Sequence, residues 1–149
     1  MSDLSGLDIK SLLSGYQKKE FRVTDVIASC LKTIESKNPK LNALLEVSKE
    51  SALKRAESLE ARMGESSKLK LFGVPIAIKD NLLVKGTQCT AGSKILEGYR
   101  SPYTATTVKQ LEDAGAIVIG KANCDEFAIR EIPTRHTVFN MDKSSLFLS

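Results

Sequence analysis

Tryptophan is absent from this chain of 149 residues, histidine occurs once, and aromatic residues make up only 5%. Any core is therefore aliphatic. Cys30, Cys89 and Cys124 are odd in number, far apart and without a CxxC pair, which fits neither a zinc knuckle nor a disulfide framework. No apolar run approaches the ~18 residues needed to span a bilayer. The amino terminus, MSDLSGLDIK, lacks the basic and apolar regions of a secretory signal, so a cytoplasmic protein with reduced thiols is expected. A strong charge of one sign is missing too. The 22 basic and 18 acidic residues leave +4, and they alternate along helix-like stretches. That pattern is a solvated surface, and without basic clusters among aromatics no direct nucleic-acid binding is expected.

What is present is globular: 42% hydrophobic and 27% charged residues, with no low-complexity block. From Thr24, the residues Val26, Ile27, Cys30, Leu31 and Ile34 fall on one helical face, and Asn38-Pro39 is the expected stop. Ala43 to Val47 reads as a short strand. Ser48 reads as the N-cap of a second helix with Ala52, Leu53, Ala56, Leu59 and Met63 on one stripe, closed by Gly64. Residues 65–70, ESSKLK, read as a polar linker.

Beyond the linker the pattern changes. Val74 to Ile78 is almost continuously apolar, as in a strand buried on both faces. A loop rich in Gly, Thr and Ser follows, then a helix from Thr104 with Val108 and Leu111 facing inward, closed at Ala114-Gly115. Ala116 to Ile119 reads as a second buried strand. Strand, helix, strand with a short return is a βαβ unit with parallel strands. These elements are too few to close a doubly covered sheet.

Lys79 stands out. It ends a buried apolar strand, is followed by Asp80 and Asn81, and sits where parallel sheets place their ligands. Partial desolvation there would lower its pKa and suit it to general-base work; the alternative is a lysine snorkelling out at a strand end. The loop from Gly86 to Ser93, GTQCTAGS, could arrange hydroxyls around that amine, although such loops are usually plain turns. Its order is not that of a phosphate-binding loop. His136 has no acid or cysteine at a telling distance and reads as a surface histidine.

The stretch LFGVPIAIKDNLLVKGTQCTAGSKIL, then Tyr99, then SPYTATTVKQLEDAGAIVIGKANCDEFA resembles the amidase-signature family. Within it, the likeness is greatest to the A subunits of tRNA-dependent amidotransferases. It covers residues 8–128 and is most specific from Leu71 to Ala128. The resemblance implies an α/β class: the amino-terminal part of an α/β/α fold, a helical start followed by a βαβ unit of a mixed central sheet. It implies a Ser-cisSer-Lys triad in which Lys79 accepts the proton of the bridging serine, a variant of nucleophilic activation. Glutamine would be the substrate, subunits B and C the partners, and ATP with Mg would be used by a partner subunit. No cofactor or metal is implied for this chain, and no membrane association.

After Ala128 the likeness to the Gly/Ser-rich region carrying the two serines is lost. Residues 129–149 read as a divergent tail, like a frameshifted or disordered end. Ser144 and Ser145 lack flanking glycines and receive no triad role. The expectation is an enzyme subunit whose present 149 residues are inactive alone. The alternatives are another amidase-signature hydrolase and a non-catalytic binding or assembly module.

Overall fold

The computed structural model describes Leu4 and residues 6–129. Of residues 129–149, which the sequence reading set apart as a tail, only Ile129 is among them; His136, Ser144 and Ser145 lie outside the described residues. The helices are α1 (Ile9–Lys18), α2 (Val23–Leu41), α3 (Lys49–Glu60) and α4 (Thr106–Asp113). The strands are β1 (Leu44–Val47), β2 (Pro75–Lys79) and β3 (Ile117–Ala122), in sheet order β1-β3-β2. β2 runs parallel to β3 and β1 antiparallel to it, so the sheet is mixed.

Local chemistry accounts for the helix ends. The Asp8 carboxylate accepts a 2.7 Å bond from the Ser11 N–H and caps α1. α2 begins at Val23 and runs through Pro39 to Leu41, past the expected stop. A proline in the last turn removes only one hydrogen bond. Asn38 then clamps the exit, donating to the Leu44 carbonyl and accepting from the Leu44 N–H at 2.8 Å each. Ser48 does take the N-cap position of α3, but its hydroxyl caps nothing. α3 ends at Glu60, short of Gly64, and a 3₁₀ turn over Met63–Glu65 follows.

Neighbouring residues of β3 point to opposite faces. On one face Ile117 joins Leu12 and Tyr16 of α1, Val26, Ile27 and Leu31 of α2, and Ala56 and Leu59 of α3. On the other, Val118 packs with Ile78 of β2, Val84 of the segment that follows β2, and Val108 of α4. β3 is thus covered on both sides, as its sequence predicts. β2 is not. Ile78 is buried against α4, whereas Ala77 and Lys79 on the opposite face are exposed. β2 is an edge of the sheet among the described residues, and the layer of α1 to α3 does not extend over it. Leu111 of α4 is likewise 37% exposed, against the expectation that it faces inward.

Candidate active site at the carboxyl end of the parallel strands

β2 ends at Lys79, paired in register with Ala122 of β3. The side chain of Lys79 is exposed, so the desolvation expected for it is absent from the described residues. The physical reason is the uncovered face of β2. The next residue turns inward: Asp80 is 0% exposed. Its N–H donates to the Ala122 carbonyl at 2.9 Å, and its own carbonyl accepts from Ala91 at 3.1 Å.

The hydroxyls of the loop bond to groups other than the Lys79 amine, Thr90 to Asp80 among them. Thr90 donates to Asp80 Oδ2 from its N–H at 2.9 Å and from its hydroxyl at 2.5 Å. The Thr87 hydroxyl donates to the Val84 carbonyl, and Ser93 donates to Glu126 Oε1 at 2.6 Å. The loop's glycine has a steric reason as well. Gly92 has φ +70, and a Cβ there would sit 2.5 Å from the Cys124 carbonyl oxygen.

Lys121 is the residue that sequence reasoning missed. It is completely buried on β3, and its ammonium donates to the carbonyls of Leu82 (2.7 Å) and Gln88 (2.9 Å). It also lies 3.2 Å from Asp80 Oδ1, an ion pair whose side chains are both 0% exposed. The angle at that contact is outside hydrogen-bonding geometry, and Oδ1 takes no hydrogen bond. The contact is therefore one of charge on charge. A bulge directs Lys121 to this place. Between the pairs Ile76–Val118 and Ala77–Gly120, β3 carries the extra residue Ile119, so Lys121 pairs with Ile78 and shares its face.

A second tie holds the loop from β1. Glu46 accepts from the Gln88 N–H at 2.7 Å and pairs with Arg100 at 2.9 Å, while Arg100 also donates to the Gly86 carbonyl. Two thiols flank Asp80. Burial pushes Cys89 up, partly offset by the Lys121 ammonium. Burial and then the Asp80 carboxylate push Cys124 up, partly offset by Lys79. Among the described residues no group of three or more His, Cys, Asp or Glu side chains could hold a metal ion. No described helix is long and apolar enough to cross a membrane.

The arrangement presents an exposed amine at a strand end, followed by a loop held by Asp80, Lys121 and Glu46. The chain belongs to the amidase-signature family, since the Amidase family pattern matches residues 25–140. It is 44% identical over 142 residues to the glutamyl-tRNA(Gln) amidotransferase A subunit 1 of Clostridium acetobutylicum, covering 95% of this chain and 28% of that protein. It is 49% identical over 111 residues to the glutamyl-tRNA(Gln) amidotransferase A subunit of Acidobacterium capsulatum, covering 74% and 23%. The solved structure of native peptide amidase from Stenotrophomonas maltophilia superposes with a TM-score of 0.74 at 32% identity, covering 83% of this chain and 26% of that one. The chain thus spans about a quarter of the length of the relatives it matches.

Proposed function

We propose that these residues are the amino-terminal part of the glutamine-hydrolysing A subunit of a tRNA-dependent amidotransferase, with Lys79 as the terminal base of its Ser-cisSer-Lys triad. The observation that carries this reading is the place of Lys79: exposed, at the carboxyl end of β2, in a chain 44% identical to such a protein. In the reaction the bridging serine passes its proton to the Lys79 amine and takes the proton of the nucleophilic serine. That serine attacks the glutamine carboxamide, the C–N bond breaks as the proton returns through the bridging serine to the nitrogen, ammonia leaves, and water hydrolyses the acyl-enzyme to glutamate. The ammonia serves amidation of Glu-tRNA(Gln) or Asp-tRNA(Asn) on partner subunits B and C, where ATP and Mg are used.

Residues 1–149 by themselves hydrolyse no glutamine in this reading. A base without its nucleophile leaves the unit as impaired as losing every member. Ammonia release from glutamine by the purified chain and by Lys79→Ala should both equal the buffer rate. A Lys79-dependent rate above buffer would contradict the assignment of the nucleophile to residues elsewhere.

A second reading is an amidase-signature hydrolase acting on another amide, favoured by the likeness to peptide amidase. Competing glutamine against carboxy-terminal peptide amides in the longer protein separates the two. Preference for glutamine supports the amidotransferase, and preference for peptide amides supports the hydrolase.

A further inference from the structure

A fully buried lysine facing a fully buried aspartate needs a reason. Taking two charges out of water is costly, and a well-packed apolar pair of the same volume is often as stable. Three observations point to what this pair does. First, its polar contacts converge on the loop that follows β2: the Lys121 ammonium holds the carbonyls of Leu82 and Gln88, and the Asp80 carboxylate holds Thr90. Second, the extra residue Ile119 in β3 turns Lys121 onto the face of Ile78, so the register itself serves this contact. Third, Asp80 is covalently next to Lys79, and its carbonyl and its carboxylate both hold the loop, through the N–H groups of Ala91 and Thr90.

We propose that Lys121 and Asp80 are a charge-balanced positioning pair: together they fix the loop from Leu82 to Ala91 against the end of β2 and leave no net charge at the residue that follows Lys79. The pair touches no reacting atom and works through Lys79. Its significance for catalysis rests on the reading of Lys79 as a base, but the positioning itself does not. Lys121 neutralises a carboxylate that would otherwise stand alone beside the base, and Asp80 neutralises an ammonium that would otherwise do the same. The other titratable or charged groups at this end are Cys124, Asp125 and Glu126, which follow β3, Cys89 in the loop, and Glu46 of β1 with its partner Arg100. They are identical in every variant below.

The test uses the full chain and two substitutions of opposite electrostatic sign. Lys121→Met keeps the stem and removes the ammonium; Asp80→Asn keeps the shape and removes the carboxylate. Acylation of Lys79 by a water-soluble N-hydroxysuccinimide ester is followed across pH by peptide mass. Lys121→Met leaves the carboxylate uncompensated, so the Lys79 profile should move to higher pH by about half a unit, equivalent to acylation roughly threefold slower at fixed pH. Asp80→Asn should move it the opposite way by a similar amount, and the double variant should return towards the wild-type profile. A purely structural role would not reverse sign. Hydrogen exchange gives the second readout. In each single variant the amides of Thr90 and Ala91 should exchange at least about tenfold faster, while those of α1 to α3 keep their rates.

Shifts of the same sign in both variants, or an unmoved profile in both, would overturn the proposal. So would wild-type loop exchange in Lys121→Met. Should a single variant fail to fold, the double variant leaves no lone buried charge, and wild-type loop exchange there also overturns it. Normal glutamine turnover by Lys79→Ala in the longer protein would remove Lys79 as the base and leave these results standing. The two failures are therefore distinguishable.

Discussion

The helical layer and the end of the sheet are held together by different physics. Around Leu12, Val26, Ile27, Leu31, Ala56 and Leu59 the contacts are apolar, and the core expected to be aliphatic also holds the rings of Tyr16, Phe21 and Phe72, packed edge to face. A buried polar tie is added by the Tyr16 hydroxyl, which donates to the Gly73 carbonyl at 3.0 Å; burial pushes its phenol well above the ordinary range. At the carboxyl end of β2 and β3 the apolar cluster is small, four buried residues, and the buried polar residues among those described lie there or in its loop: Asp80, Thr90, Ser93, Ser101 and Lys121. Burial without direction builds the first region. Partners that must all be present build the second.

That contrast makes the loop the place where one substitution costs most. Asp80→Ala strands the buried Lys121 ammonium beside two carbonyls and frees Thr90, and should destabilise the chain by about 3 to 5 kcal/mol. Chemical denaturation with an unchanged m-value checks this. A cost below that of a conservative core change would erase the distinction between the two regions.

Gly92→Ala comes next. It combines a left-handed backbone with a Cβ 2.5 Å from the Cys124 carbonyl oxygen. A cost of about 1 to 3 kcal/mol is expected, together with faster exchange of the loop amides. In the helical layer Ile27→Val, at a residue 0% exposed, should cost only about 1 kcal/mol and leave the loop's exchange rates untouched. If Ile27→Val opened the loop, the two regions would be one cooperative unit.

Much of this was legible beforehand, and for a stated reason. α2, α3 and β3 carry their apolar residues at the period of their element, so Val26, Ile27, Leu31, Ala56 and Leu59 could be placed in a core from spacing alone. The parallel pair followed from strand, helix and strand in order, and Gly115 with φ +99 does close the segment after α4. The reading of β2 went astray because burial on the second face depends on a covering layer, which no property of Val74 to Ile78 encodes. The desolvation expected at Lys79 went with it. Pro39 looked like a stop, yet Asn38 stabilises the exit and lets α2 run on.

Lys121 was hidden by its own strand. An alternating reading of β3 puts it on the face of Ile117, and only the bulge at Ile119 moves it beside Ile78 and Asp80. A lysine directly after Ile-Val-Ile-Gly in a buried strand was the available signal. Lys79 was noticed because it follows an apolar run, and Lys121 follows one too. The exposed amine has a chemical task in the proposed reaction, and the buried one has a geometric task.

The central claim is that Lys79 is the base of the amide hydrolysis. It is tested most directly by glutamine turnover of the longer protein carrying Lys79→Ala, with circular dichroism showing that the fold is kept. Trimming an exposed side chain at a strand end opens little core volume, so the fold should survive. Turnover should fall by on the order of 10⁴-fold or more, as for removal of one member of a catalytic unit. A folded Lys79→Ala protein that releases ammonia at the wild-type rate would contradict the account.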